Sequence, residues 1–444
     1  MSLFNISNGV NNDWSNRDKL LLRFFTLFFT VQIIPVDFRF YQELFSIDAP
    51  TINFYHLFKI AHYYPHFFGS ESFSNWVIAA VLATIGTLAW SLRANDKINY
   101  EVLYYWLRVV LRYRLAIGIV AYGIIKAFPL QMPYPSLSNL HTNYGDFYAW
   151  KIYFHTLGIA QGYEVFLGAV EILAGALLLC RTTTTFGAGI IVGFTGNVFA
   201  ANLAYHAGEQ VYSAFLLSIA LFLFAYDVPR LYNLLVQGKF TFSNKFKPVF
   251  AQKYLKLTRF LLKSVSAIFI LALGVATYAN FKSAPYKYPS TAGLKDAYGF
   301  YNVREFRFNN KVIPYSNTDE NRWQNVVFEK WATLSIKTAA PVQIDNSFGD
   351  EFESKDADRN FESAGVGDRR YFAYDVDSIE HVIHLHNKNK YHNNEKFELR
   401  YSFINDSTIV LNGVNEKNDS VNAVLDRITK RYLLTEGRRK RVKL

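Results

Sequence analysis

The chain has 444 residues, of which 51% are apolar and 17% aromatic, and it carries a formal net charge of +11 at pH 7. This apolar share exceeds what one ordinary soluble core uses, so composition predicts a membrane protein. The positive charge does not indicate nucleic-acid binding, because the basic residues lie beside apolar segments or in a short C-terminal tail and no recognition motif is present. The single cysteine, Cys180, excludes a disulfide within one chain.

The charged residues divide the chain into two parts. Residues 1–281 hold 21 Lys or Arg and 13 Asp or Glu, and the remaining residues hold 26 and 23. The first part alternates apolar runs with short polar loops, whereas the second has the composition of a soluble domain. We therefore predict a mainly α membrane bundle followed by a small antiparallel β-rich domain.

Apolar segments in the first part predict about seven transmembrane helices, each long enough to cross a hydrocarbon core of about 30 Å or nearly so. The first lacks a signal-peptide cleavage pattern and is interpreted as a retained span. The predicted spans are residues 20–36, 75–92, 106–128, 157–180, 184–206, 210–226 and 260–279.

Lys and Arg concentrate in alternate connections, at residues 93–100, 181–183 and 227–259. The positive-inside rule then predicts a cytoplasmic N-terminus and an outer C-terminal domain, which in a bacterium with two membranes means the inner membrane and the periplasm. The lipid bilayer is the expected partner, and an amphipathic basic stretch at 243–259 is predicted to lie on the inner leaflet. A membrane or periplasmic protein is the other expected partner.

Four regions follow from this pattern: residues 1–100 with two spans and an outer interfacial helix, 101–228 with four spans, 229–281 with the basic segment and the last span, and 282–444 as the outer domain with its basic tail. Period-two patterning and turn residues in the last region predict an antiparallel sandwich or barrel. The predicted strands lie around 300–308, 323–337, 369–375, 380–386, 396–403, 407–412 and 431–435.

Ionisable side chains within the spans are costly and need a partner or water. Arg114 and Glu171 lie at similar depths in two antiparallel predicted spans, so they are predicted to pair. Two interpretations stay open: an ion pair that only fixes helix register, or part of a ligand or proton site.

A second group of polar residues falls near the outer ends of the predicted spans. We predict that it lines an outward-opening pocket suited to a quinone headgroup, with a water-filled crevice as the alternative. No metal site is assigned, because the closely spaced His62 and His66 lack an assured third ligand. The predicted pocket residues are Lys126, Gln161, Glu164 and Asn202, with His206 at the rim.

The run RLAIGIVAYGIIKAFP, which contains Arg114 and Lys126, and the run VEILAGALLLCRT, which contains Glu171, resemble the DoxX family of four-helix membrane proteins. The resemblance covers about residues 104–228, and the long form resembles proteins of Bacteroidota. It implies association with membrane redox assemblies, since the family takes its name from a thiosulfate:quinone oxidoreductase subunit. The thiol–disulfide activity of some relatives is not expected here, because it depends on cysteines that this chain lacks.

Two classes of function are consistent with these patterns. One is a subunit of a quinone-linked or other membrane redox assembly, with a polar site near the outer membrane face. The alternative is a noncatalytic membrane scaffold whose outer β domain binds a partner or ligand. The sequence does not decide whether the chain is an enzyme, and a quinone is the one cofactor that its pattern suggests.

Overall fold

The computed structural model describes residues 14–36, 38–46, 52–65, 67–68, 72–93, 98–242, 253–283, 285–347 and 355–436. The chain folds into two compact units. The helical unit comprises residues 1–128 and 165–279, and the barrel unit comprises residues 129–164 and 280–444. The predicted basic tail at 438–443 and the first part of the amphipathic stretch, 243–252, lie outside the described residues.

Long helices dominate the first 283 residues, and side-chain caps mark where several of them begin. Ser15, Asn53 and Asn99 each accept a hydrogen bond from a backbone N–H in the first turn of the following helix. The helices are α1 Asn16–Ile33, α2 Phe38–Phe45, α3 Phe54–Ala61, α4 Ser74–Arg93, α5 Tyr100–Ala127, α6 Leu137–Leu140, α7 Ala149–Gly158, α8 Gln161–Leu179, α9 Thr184–Tyr205, α10 Gln210–Ala225, α11 Val228–Leu235 and α12 Lys253–Ser283.

Four segments of the described chain are long and apolar enough to cross a membrane: Ser74–Arg93, Gln161–Leu179, Arg181–Tyr205 and Phe260–Ser283. Helices α10 and α11 form a pair bent by 60° that adds a fifth if it is one span. The predicted number of about seven is therefore not confirmed. Helices α1 and α5 do form at two predicted spans. Helix α5 is not among the membrane-spanning candidates, because it carries Arg108, Arg112, Arg114 and Lys126.

Glycines bring α5 and α8 close together, and at one pair, Gly123 and Gly168, the two backbones are in contact. A Cβ atom added at Gly168 would lie 2.5 Å from the carbonyl oxygen of Gly123, and one at Gly123 would lie 2.9 Å from that of Gly168. A Cβ at Gly175 would come within 2.3 Å of Val120. Small residues let helix backbones approach closely. In a membrane the lipid tails are as apolar as the helices, so helices associate mainly through such close packing. The crossing at these glycines fixes which side chains of α5 and α8 meet.

The barrel unit contains a closed antiparallel sheet. Eight strands run in the order β1, β3, β4, β5, β6, β7, β8, β9, and β9 pairs again with β1. The short β2 pairs with the end of β1. The barrel alternative of the sequence prediction is thus confirmed. The strands are β1 Gly299–Phe308, β2 Lys311–Val312, β3 Asn325–Phe328, β4 Thr333–Lys337, β5 Arg369–Asp377, β6 Val382–Asn387, β7 Lys396–Asn405, β8 Thr408–Asn415 and β9 Ser420–Arg427.

Side chains fill the interior of this barrel. Aromatic residues such as Tyr301, Phe306 and Phe328 are almost fully buried in one continuous core, as expected for eight strands, whose interior is just wide enough to be filled by side chains. The strands differ from prediction in several places, and the short β2 was not predicted. Residues 323–337 form two strands instead of one, and 431–435 leads into a short helix, α13 Leu433–Glu436. Strand β9 was not predicted, because Ala423 weakens its apolar alternation.

Residues 129–164 belong to the barrel unit rather than to the bundle in which the predicted 101–228 region placed them. The backbone N–H groups of Leu137 and Ser138 and the hydroxyl of Ser138 all donate to the carboxylate of Glu329. Asn139 donates to the carbonyl oxygen of Glu362 at 2.9 Å. These bonds join residues about 190 or more positions apart in sequence, which hydrophobic patterning cannot pair.

Candidate functional site: an ion pair and an aromatic cluster in the helical unit

Glu171 of α8 pairs with Lys126 of α5, not with Arg114 as predicted. The Lys126 Nζ lies 2.6 and 2.8 Å from the two carboxylate oxygens of Glu171. Both side chains are almost fully buried, with 6% and 3% of their surface exposed. The glycine crossing of α5 and α8 sets this register, whereas the prediction assumed that both spans begin at the same membrane level.

Arg114 instead binds the end of α3. Its guanidinium donates to the carbonyl oxygens of Ala61 and Tyr63, at 3.0 and 2.5 Å, and lies 3.5 Å from the hydroxyl of Tyr212. The carbonyl groups that a helix leaves unpaired at its C-terminus attract cations. Sequence reasoning missed this interaction because backbone acceptors leave no signal in the pattern of side chains.

The other predicted pocket residues of the helical unit have separate surroundings. Asn202 is buried and donates to the hydroxyl of Ser213 at 3.2 Å. His206 is exposed and ends α9 in a left-handed conformation, with φ of 53°. Lys126 is engaged by Glu171. Each of the two buried residues therefore has a hydrogen-bond partner outside the predicted set.

Gln161 and Glu164 belong to the barrel unit. Glu164 is fully buried, and its carboxylate accepts the backbone N–H of Met132 at 3.0 Å. Gln161 is exposed and lines an open cavity of about 620 Å³. The other residues lining that cavity are Tyr134, Ile159, Ala160, Gly162, Tyr163 and Leu434.

An aromatic cluster surrounds His62, at the end of α3. The His62 ring centroid lies 4.0 Å from that of Tyr212, 5.6 Å from Tyr122 and 5.5 Å from Tyr64. Phe58 stacks on His62 from the preceding turn, at 5.7 Å. The sequence contained one signal for this site, the run of histidine and aromatic residues on α3, but it gave no indication of the tyrosines on α5 and α10.

Carboxylates flank this aromatic cluster on two sides. The His62 Nε2 lies 3.3 Å from the carboxylate of Glu209, and both side chains are 24% exposed. The Tyr122 ring lies 5.2 Å from the Lys126 Nζ, which binds Glu171. We call these residues together the aromatic–ionic cluster. Its members are Phe58, His62, Tyr64, Tyr122, Lys126, Glu171, Glu209 and Tyr212.

The aromatic–ionic cluster combines two chemical capabilities. Flat tyrosine faces beside a partly exposed histidine suit a planar ligand with hydrogen-bond acceptors. A histidine and a carboxylate side by side also offer hydrogen-bond donors and acceptors to the polar atoms of such a ligand. Within the described residues, no group of three or more His, Cys, Asp or Glu side chains is arranged to hold a metal ion.

A second polar cluster lies in the barrel unit and is closed to solvent. Glu362 binds Lys388 at 2.8 Å with neither side chain exposed, and it accepts the Trp331 indole N–H at 2.7 Å. Burial raises the pKa of the nearby Glu329 to about 7, and the charge of Glu362 adds to the effect, while the hydrogen bonds from Ser138 and Leu137 oppose it. An enclosed network of this kind holds residues 129–164 on the barrel rather than receiving a substrate.

Comparison of the chain with protein-family models, with curated proteins and with solved structures finds no match in any of the three.

Proposed function

We propose that the helical unit binds a quinone headgroup at the aromatic–ionic cluster and serves as a component of a membrane redox assembly. One observation carries the proposal: the partly exposed His62–Glu209 pair packs directly on Tyr212 among helices that include apolar membrane-spanning candidates. An ionisable pair in such surroundings is a functional-site hypothesis by default, because its desolvation is otherwise costly.

The proposed ligand follows from the chemistry of the surrounding side chains. A quinone headgroup is a planar ring with two carbonyl oxygens, and it needs apolar or aromatic walls with a donor at its edge. Tyr122 and Tyr212 stack at 5.7 Å and provide such a wall. In its doubly protonated form His62 can donate one N–H to Glu209, which orients the ring, and the other N–H to a quinone oxygen. Reduction of a quinone consumes two electrons and two protons, so an electron-carrying partner protein would be required.

The resemblance of residues 104–228 to the DoxX family supports the same class of function, since it implies association with a redox assembly. The buried Lys126–Glu171 ion pair would then be a second pair of charged groups close to the bound quinone. It is joined to the proposed site through the Tyr122 ring, which lies 5.2 Å from Lys126 and 5.6 Å from His62.

The scaffold alternative rests on a different observation. Lys126 and Glu171 satisfy each other at a glycine-mediated helix crossing, which is also what a pair that only fixes helix register would do. This alternative accounts for the ion pair but not for the partly exposed His62–Glu209 pair. Because side chains fill the barrel, a scaffold would use the outside of the barrel rather than its interior.

We also propose that the protein is a multi-pass protein of a bacterial inner membrane, with its N-terminus in the cytoplasm and its barrel unit in the periplasm. The proposal rests on the Lys and Arg residues at 227–259. A reporter fused after Asp227 should be cytoplasmic, and one fused after Lys282 should be external. Two reporters on the same side would contradict this orientation.

Quinone content is the quantity that separates the two functional proposals. The full-length protein is purified in mild detergent from bacterial membranes, and quinone per folded protein is measured after solvent extraction. His62→Gln removes the donor and should lower occupancy by about tenfold, the effect of losing one hydrogen bond to the ligand, and Glu209→Gln, which alters the partner that orients His62, should lower occupancy as well. Arg93→Gln at the exposed end of α4 is the matched control and should leave occupancy unchanged. Equal occupancy in all variants, with the fold intact, would favour the scaffold.

A further inference from the structure

Two arginines on α5 lie where the apolar helix α9 begins. Arg108 and Arg112 are four residues apart and therefore share a face of α5. A guanidinium nitrogen of Arg112 lies 3.5 Å from the hydroxyl of Thr184, the first residue of α9. Arg181, three residues before α9, lies over the Tyr105 ring of α5. The contact with Thr184 places Arg112 at the level where a membrane-spanning candidate starts.

No carboxylate among the described residues forms an ion pair with either of these two arginines. The Arg108 guanidinium lies 3.2 Å from the centroid of the Tyr226 ring, and that of Arg112 lies 5.3 Å from the Tyr113 ring. In the part of the chain that the structure describes, the Nε atom of each is buried without a hydrogen-bond partner. Their described partners include the side chains of Tyr226 and Tyr113, which also hydrogen-bond to them, and the hydroxyl of Thr184.

The acidic residues that lie in this part of the helical unit are already engaged. Asp227 accepts a hydrogen bond from the hydroxyl of Thr185 and lies 3.9 Å from Arg230. Glu101 accepts the indole N–H of Trp14 at 3.2 Å. A pair of half-buried guanidinium groups without an acidic partner is a site for an anion, and planar guanidinium groups match the geometry of phosphate.

The surroundings of the arginines specify the source of that phosphate. Trp106 and Val110 on α5 and Phe186 on α9 lie on the same two helix segments as the arginines and Thr184, and they expose 38%, 49% and 68% of their surface. A basic site at the level where an apolar helix starts, on segments that also expose apolar side chains, fits a lipid, because basic sites between transmembrane helices bind acidic headgroups. We propose that Arg108 and Arg112 bind the phosphate of an anionic membrane lipid at this end of the bundle.

The lone cysteine makes a local measurement available. Cys180 is exposed and directly precedes Arg181, so a fluorophore attached to it reports on the proposed site in the full-length protein. The labelled protein in zwitterionic detergent is titrated with phosphatidylglycerol, with phosphatidylcholine and with inorganic phosphate. The variants are Arg108→Gln with Arg112→Gln, Arg108→Lys with Arg112→Lys, and the control Arg93→Gln, which removes an exposed charge at the end of α4.

The lipid proposal predicts a saturable response to phosphatidylglycerol only. The double Gln variant should weaken the apparent affinity by about tenfold or more, since each guanidinium–phosphate contact is a charge-assisted hydrogen bond. The double Lys variant keeps the charge but loses the planar fork, so it should bind with intermediate affinity and still fold.

Three results would overturn the proposal. Equal affinity in wild-type protein and in the double Gln variant would show that the arginines do not bind the lipid. An equal loss in Arg93→Gln would indicate diffuse surface charge instead of a site. Saturation by inorganic phosphate at the same concentration as by phosphatidylglycerol would mean that a soluble anion is the ligand.

Discussion

The Lys126 ammonium group faces both carboxylate oxygens of Glu171, at 2.6 and 2.8 Å, where α5 and α8 cross at Gly123 and Gly168. Almost no surface of either side chain is exposed. Each charge therefore neutralises the other where almost no solvent reaches them. The energetic dependence between these two residues can be measured directly.

Removing one member of this ion pair should strand the other. Lys126→Met and Glu171→Leu are each expected to destabilise the protein by about 3 to 5 kcal/mol, whereas the double variant should lose clearly less than the sum. The measurement is a double-mutant cycle of unfolding free energy in detergent. As control, the cycle of Arg114→Met with Glu171→Leu should be close to additive, because Arg114 binds carbonyl groups of α3. Strong coupling in the control cycle and none between Lys126 and Glu171 would contradict the observed pairing.

The helix crossing makes a separate prediction for glycine substitutions. Gly168→Ala would place a methyl group 2.5 Å from backbone atoms of α5, so we expect destabilisation of about 1 to 3 kcal/mol from overpacking. The control is Gly193→Ala in α9, where no described atom lies within 4 Å of the added Cβ. The thermal midpoint should fall for Gly168→Ala and should stay level or rise for Gly193→Ala. Equal midpoints would show that α5 and α8 are not in backbone contact.

Glu329 should make the barrel unit less stable as pH rises. Its pKa is raised from 4.5 to about 7 in the folded state, mainly by burial. The protonated form is therefore favoured by folding. This contribution is fully present below about pH 4.5 and is lost as pH rises through about 7. The advantage of wild type over Glu329→Gln, measured as thermal midpoint, should shrink between pH 5 and pH 8. A difference that is the same at every pH would exclude this linkage, and Glu305→Gln, at an exposed position, is the control.

His141 should act in the opposite direction. Its ring stacks on Phe300 with centroids 3.7 Å apart, and burial lowers its pKa from 6.5 to about 4, with the charges of Lys430 and Arg369 as further causes. The neutral ring is favoured by folding, so its contribution is present above about pH 6.5 and is lost as pH falls toward 4. His141→Phe keeps the stacking and should flatten this acid loss in midpoint measurements from pH 4 to pH 7. An unchanged acid profile would show that His141 is not the titrating group.

Local patterns determined how much of the fold could be predicted. Apolar run length located helices such as α4 and α9, and the period-two pattern located β7 and β8. The same methods missed β9, where Ala423 weakens the alternation, and they placed residues 129–164 in the bundle. That segment joins the barrel unit through hydrogen bonds from Ser138 to Glu329, and such long-range polar contacts have no sequence period.

The candidate site was predictable only in part. The free-energy cost of placing a charge inside a membrane identified Lys126, Glu171 and Arg114 as residues that need partners. It could not show which partners they have. The assignment depends on the depth at which Gly123 and Gly168 meet and on the carbonyl groups of α3. The sequence could not place His62 in this cluster, because Tyr212, whose ring centroid lies 4.0 Å from that of His62, is distant in sequence.

The central claim, a quinone headgroup at the aromatic–ionic cluster, is tested most directly by photolabelling. The full-length protein is illuminated with an azido-quinone, with excess unlabelled quinone as competitor, and labelled peptides are identified by mass spectrometry. Competable label should appear in peptides that contain His62, Tyr122 or Tyr212, and His62→Gln should lower it about tenfold. Label confined to other helices, or label that excess quinone does not displace, would contradict the claim.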